Sequence, residues 1–183
     1  MKDTMKINKL RLVLTLHCNR HCDGCCNNQW DWSKIPVFNG NYSEVESVFF
    51  TGGEPLLFPD MVREEALKAK QQNPDIRTYL YTAKTNDPTV ICSLLEIMDG
   101  LTVTLHEPAD VPRFRALDSY LISELSDISD KRLRCNVFKE AGWIVPTAYW
   151  KFKTDMESLG FQREGDSLNF EGILIVRFLW GRL

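Results

Sequence analysis

Lys9-Leu10-Arg11-Leu12-Val13-Leu14-Thr15-Leu16 runs without a break into His17-Cys18-Asn19-Arg20-His21-Cys22-Asp23-Gly24-Cys25. The first half, with Leu10, Leu12, Val13, Leu14 and Leu16, is the near-continuous apolar run of a strand buried on both faces, which is how strands of a parallel sheet read. The second half is a loop with three cysteines spaced C-x3-C-x2-C. Ligands of parallel α/β proteins sit at the carboxyl ends of the strands, so a cysteine loop that begins where the first strand stops marks the expected site. Three thiolates in one loop point to a metal. Structural zinc takes four protein ligands, usually as two C-x2-C units, and no second unit is present. A cubane iron-sulfur cluster is normally held by four Cys thiolates, so three would leave one iron open for chemistry. The spacing by itself leaves an iron-sulfur cluster, zinc and unligated buried thiols all open.

Further along, Val48-Phe49-Phe50-Thr51-Gly52-Gly53-Glu54-Pro55 is a second short apolar strand ending in Gly-Gly-Glu-Pro. On its own this is a strand-to-helix turn, since Gly tolerates positive φ and Pro starts the next element. Pro59-Asp60 opens a helix with Val62, Ala66 and Ala69 on one side. Ile76 to Thr82 reads as a third strand. Asn86-Asp87-Pro88 is a capped helix start, followed by the stripe Val90, Ile91, Leu94, Leu95 and Met98, with Asp99-Gly100 expected to end the helix. Leu101 to Leu105 is a fourth strand, and Phe114, Leu117, Leu121 and Leu125 mark the helix behind it. Leu133, Cys135 and Val137 alternate with polar residues in a fifth strand. Thr147 to Leu159, with Tyr149, Phe152, Met156 and Leu159 in register and Gly160 closing it, is expected to be a helix, and Ile173 to Trp180 a last strand. Between Asn27 and Tyr42, Pro36, Gly40 and several Asn predict a short, irregular first crossover.

Strands alternating with helices at this scale predict a mostly parallel sheet with right-handed crossovers. The chain has 183 residues, 44% of them hydrophobic, enough for one sizeable core. A full eight-fold β/α barrel takes about 250 residues. The expectation is therefore α/β, a partial, open (β/α)6-type barrel with mostly parallel strands, built as a single domain over 1–183. A net charge of −3 gives no global case for binding nucleic acid or an anionic membrane. The N-terminal residues lack the apolar core of a signal peptide and no run reaches the about 18 apolar residues of a membrane span, so a cytoplasmic protein is expected. In that compartment six cysteines, three of them within eight residues, suit metal ligation better than disulfides.

C-x3-C-x2-C after the first strand and Gly-Gly-Glu-Pro after the second together resemble the radical S-adenosylmethionine (SAM) superfamily, over Leu10 to Leu57 directly. The resemblance implies that Cys18, Cys22 and Cys25 hold a [4Fe-4S] cluster whose fourth iron chelates the amino and carboxylate groups of SAM. It also places Gly52, Gly53, Glu54 and Pro55 at the methionine end. Cleavage of SAM by one electron from the cluster would leave methionine and a 5′-deoxyadenosyl radical that abstracts hydrogen from a substrate. No G-x-G-x-x-G fingerprint of a flavin or nicotinamide site occurs, so an external electron donor of the flavodoxin or ferredoxin type is implied. Gly24 stands where many members carry an aromatic beside the SAM adenine, and Cys26 is expected to point away from the cluster.

Other candidates are weighed against plain packing. His106, just after the fourth strand, lies at the strand end that faces the site in this architecture, although a lone His there is more often a structural residue, and Asn136 and Arg134 on the fifth strand are candidates of the same standing. His17 and His21 flank the ligands and can tune a cluster through hydrogen bonds; Trp30 and Trp32 are expected to pack. The string from Cys22 to Trp30 is similar to small activating enzymes that install glycyl radicals, notably the anaerobic ribonucleotide reductase activase. The shortened crossover and following Trp are similar to carboxydeazaguanine synthases. A non-catalytic cluster or zinc module is the third class, and it would not need Gly-Gly-Glu-Pro. An incomplete barrel with a wide opening suits a macromolecular substrate such as a protein loop, whereas a small metabolite needs a closed pocket.

Overall fold

The computed structural model describes residues 9–22, 25, 27, 31–156 and 173–177. Seven strands form one sheet: β1 (Lys9–Thr15), β2 (Ser47–Gly52), β3 (Arg77–Thr82), β4 (Gly100–Leu105), β5 (Arg132–Phe138), β6 (Trp150–Met156) and β7 (Ile173–Arg177). Their order is β6-β5-β4-β3-β2-β1-β7, and each neighbouring pair is parallel. Six strands thus follow one another in chain order, the arrangement a partial open barrel uses, while β7 returns beside β1. Three α-helices fill the crossovers after β2, β3 and β4: α1 (Pro59–Gln72), α2 (Pro88–Leu95) and α3 (Asp110–Glu124).

Sequential order has a direct consequence. Right-handed crossovers that always step in the same direction put their helices on the same face of the sheet. Strand residues facing that way, including Leu10, Leu12 and Leu14, Val48 and Phe50, Leu101 and Val103, and Leu133 and Cys135, join one core with Val62 and Ala66 of α1, Ile91 and Leu94 of α2, and Phe114 and Leu117 of α3. The alternate residues point to the other face. There Val13 meets Ile35 and Trp32 in a small separate cluster, as packing of Trp32 predicts, and otherwise the face carries polar, aromatic and cationic side chains.

Local chemistry accounts for the start of α2. Asp87 accepts a hydrogen bond from the Val90 amide at 3.3 Å ahead of Pro88 at the first helical position. Between β1 and β2 no α-helix is described; Val37 instead pairs in parallel with Arg177 of β7, and Phe38 donates its amide to the Arg177 carbonyl at 2.9 Å. The first crossover is thus irregular, as Pro36 and Gly40 predict.

Two expectations are corrected. Residues 147–156 are not helical: Trp150–Met156 is strand β6, paired in parallel with β5 through Cys135 and Phe152. Trp150 and Phe152 pack into the core, with exposed Lys151 between them and exposed Lys153 after them, a period of two that the wider spacing of Tyr149, Phe152 and Met156 conceals. Leu159 and Gly160, and the end of the last strand to Trp180, lie outside the described residues. The second correction concerns Gly100, which opens β4 rather than closing α2. A Cβ there would run into the Arg132 carbonyl of β5, so close strand approach requires the glycine. Asp99 accepts from the Thr78 amide at 2.7 Å and from Lys70 at 2.9 Å.

Candidate functional site: the cysteine loop and the glycine turn

All strands point their carboxyl ends one way, so the loop after β1 and the turn after β2 are neighbours. The Gly53 amide donates to the Thr15 carbonyl at 2.7 Å and the Glu54 amide to the His17 carbonyl at 2.8 Å. This short ladder continues the β1–β2 pairing past the formal strand ends and seats Cys18 beside the glycine turn. It explains both glycines. Gly52 has φ of +144°, and a Cβ on it would strike the Thr15 carbonyl; a Cβ on Gly53 would strike the His17 carbonyl. Asn27 adds a side-chain hydrogen bond to the Gly52 carbonyl.

Glu54 is 2% exposed and both its oxygens are engaged. One accepts from the Leu56 amide at 3.0 Å and the Thr82 hydroxyl at 2.7 Å, the other from the Ala83 amide at 3.0 Å. The side chain ties the end of β2 to the end of β3, with Pro55 starting the buried 3-10 turn that follows. What the turn offers a ligand is main chain: among the described residues the Gly53 carbonyl accepts no hydrogen bond.

Cys18 is exposed, Cys22 and Cys25 are half-buried, and all three are free thiols. The Cys25 amide donates to the Cys22 carbonyl at 3.2 Å, closing a turn, and the Arg20 amide reaches the Cys18 sulfur at 3.4 Å. Burial pushes the Cys22 thiol up; the Arg20 guanidinium opposes this, and Cys25 and Cys18 add to it, so the three sulfurs feel one another. Among the described residues no three His, Cys, Asp or Glu side chains are gathered at metal-binding distance. The donor chemistry nevertheless fits an iron-sulfur cluster: soft thiolates from a single loop, one of them solvent-facing. Cys26, Gly24 and Trp30 lie outside the described residues.

A partner that the sequence reading passed over holds this loop. Arg20, between the first two cysteines, makes a bidentate pair with Asp110, both contacts 2.8 Å, and donates to the Ala83 carbonyl at 3.0 Å. Asp110 opens α3, is 1% exposed, and also accepts from the His106 and Glu107 amides at 2.8 and 3.2 Å. Burial alone would raise the Asp110 carboxyl, but the Arg20 hydrogen bonds and then the His106 amide outweigh it and hold the group below its ordinary value. Spatial proximity of positions 90 apart has no local signal, which is why only the fold shows it.

His106 stacks on Phe138 with ring centroids 4.6 Å apart. Burial, then the Arg20 charge, lower its pKa, so it is a neutral imidazole at pH 7. His106, Phe138, Arg20 and Cys22 line a cavity of about 410 Å³ whose rim residues Asn19, His21, Glu107 and Glu140 are exposed. The structure thus brings His106 and His21 to Cys22. Asn136 lies on the same sheet face, paired with Thr104, but does not line this cavity. His17 packs edge-on against Phe58 at 5.9 Å.

No protein-family model matches the chain, and no curated protein matches it either. The functional reading therefore rests on the site itself. No helix among the described residues is long and apolar enough to cross a membrane.

Proposed function

We propose that this chain is a radical SAM enzyme. The observation that supports it most is the main-chain ladder from Thr15 and His17 to Gly53 and Glu54, which joins the cysteine loop to the glycine turn at the carboxyl end of a parallel sheet. Cys18, Cys22 and Cys25 are the thiolates that would hold a [4Fe-4S] cluster. Such a cluster with SAM bound supplies reductive cleavage of the sulfonium and hydrogen abstraction from a substrate, and the protein's part is positioning, shielding and electrostatics.

Each of those tasks has residues. The open Gly53 carbonyl suits the ammonium of a methionine moiety, which needs acceptors rather than amides. Glu54, locked on three donors, keeps that carbonyl in place. Arg20 is anchored to α3, so the ligand loop is braced from outside. Its cation is near Cys22, where it favours a deprotonated, ligating sulfur. Neutral His106 can donate one hydrogen bond or accept one into the cavity beside Cys22. The exposed rim of that cavity favours a protein loop as substrate over an enclosed metabolite. A cytoplasmic location and an external one-electron donor of the flavodoxin or ferredoxin type complete the proposal.

The test is anaerobic reconstitution of the full chain with iron and sulfide, followed by electron paramagnetic resonance of the reduced protein and chromatography for 5′-deoxyadenosine after adding SAM. Cluster signal and slow SAM cleavage are expected. Cys18→Ala, Cys22→Ala or Cys25→Ala each removes the cluster, while Cys26→Ala, Cys92→Ala and Cys135→Ala retain it. Stoichiometric zinc with no cluster signal overturns the reading; an intact, reducible cluster without SAM cleavage replaces it by a cluster-bearing binding module.

A further inference from the structure

The helix-free face of the sheet carries, at the opposite end from the cysteine loop, a cavity of about 1080 Å³. Five of its lining residues are cationic: Lys9, Arg11, Arg77, Arg132 and Arg134. Against them stand the carboxylates of Glu44, Glu46 and Asp75. The lining therefore carries 5 − 3 = +2, in a chain whose net charge is −3.

Strand register makes the arrangement specific. One row across the sheet reads Arg11, Phe49, Tyr79, Gly100, Arg132 on β1 to β5. Phe49 and Tyr79 stack at 5.1 Å. From one side Arg11 reaches across β2 to lie 5.4 Å over the Tyr81 ring of β3; from the other Arg132 reaches across β4, where Gly100 has no side chain to block it, to lie 5.6 Å over Tyr79. Two guanidinium groups so converge on β3 from both flanks, each over a ring at cation–π distance. Arg77 and Arg134 add two more, and among the described residues their side chains have no hydrogen bond or ion pair. Among the described residues the Arg11 Nε is buried without an acceptor, an expensive state for a cationic donor unless a ligand completes it.

We propose that this cavity is an anion-binding site for a ligand with an oligophosphate group. Several guanidinium forks facing one space need several negative charges within a few ångströms. A di- or triphosphate brings them on adjacent atoms and matches the bidentate fork, whereas peptide carboxylates arrive one per residue. The cavity volume also admits an attached nucleoside-sized group. This proposal does not rest on SAM chemistry, because the site lies at the other end of the strands.

Calorimetric titration of the full chain with tripolyphosphate and with ATP, at fixed ionic strength and without reconstituting a cluster, is the test. One-to-one saturable binding is expected. Arg132→Ala and Arg134→Ala, both at exposed positions that keep the core intact, each weaken it about tenfold, the loss of a charge-assisted hydrogen bond. Arg11→Lys weakens it while preserving charge, and Arg115→Ala on α3 leaves it unchanged. Tighter binding of ATP than of tripolyphosphate adds a nucleoside to the ligand; equal binding assigns the site to the phosphate chain alone. The proposal is overturned if neither probe binds at millimolar concentration, if all three cavity substitutions leave binding unchanged, or if hexaglutamate binds more tightly than tripolyphosphate.

Discussion

Removing the Arg20 side chain isolates how the cysteine loop is held. Asp110 is 1% and Arg20 17% exposed, and the pair is bidentate at 2.8 Å on both contacts. Breaking a buried ion pair by deleting one partner costs about 3–5 kcal/mol. Arg20→Ala belongs at the low end, about 3 kcal/mol, because Asp110 keeps the His106 and Glu107 amides as donors. In a chain of this length that is a fall in Tm of about 6–12 °C. Asp110→Ala strips those two amides of their acceptor as well and costs about 4 kcal/mol. Arg20→Lys restores only part, since an ammonium cannot make the planar two-point contact. The pH dependence has a definite sign. Asp110 has a folded-state pKa below its unfolded value, so its contribution is complete above the ordinary carboxylate pKa of about 4 and is lost as pH falls through the depressed value. Wild type therefore loses more stability than Asp110→Asn does between about pH 4 and lower pH. Urea unfolding of the unreconstituted chain at pH 7 and pH 3 measures all of this. An Arg20→Ala variant within about 0.5 kcal/mol of wild type at pH 7 would refute the brace.

Gly53→Ala should displace the loop, because its Cβ would meet the His17 carbonyl; poor cluster loading with retained far-ultraviolet circular dichroism is expected, and normal iron content would contradict it. Glu54→Gln turns an amide donor toward a main-chain amide that now donates to the carboxylate, a loss of about 2 kcal/mol readable by urea unfolding in the unreconstituted chain. If Glu54→Gln instead impaired SAM cleavage alone with unchanged stability, the side chain would be acting on the ligand rather than on β3.

Local pattern carried the parts of this protein that depend on nearest neighbours in the chain. The leucines of β1 and the capped start of α2 were legible because burial periodicity and capping act over a few residues. The strand at Trp150–Met156 escapes the local pattern for a related reason: seven residues hold too few repeats to separate a period of two from one of 3.6. Tertiary structure decided the rest. Arg20 meets Asp110, Glu54 meets Thr82, and Arg11 and Arg132 converge on one strand only because parallel pairing, with a crossover between partners, brings distant positions into register. A parallel ladder is set by how crossovers pack on the sheet rather than by a turn, and that packing is a property of the whole core.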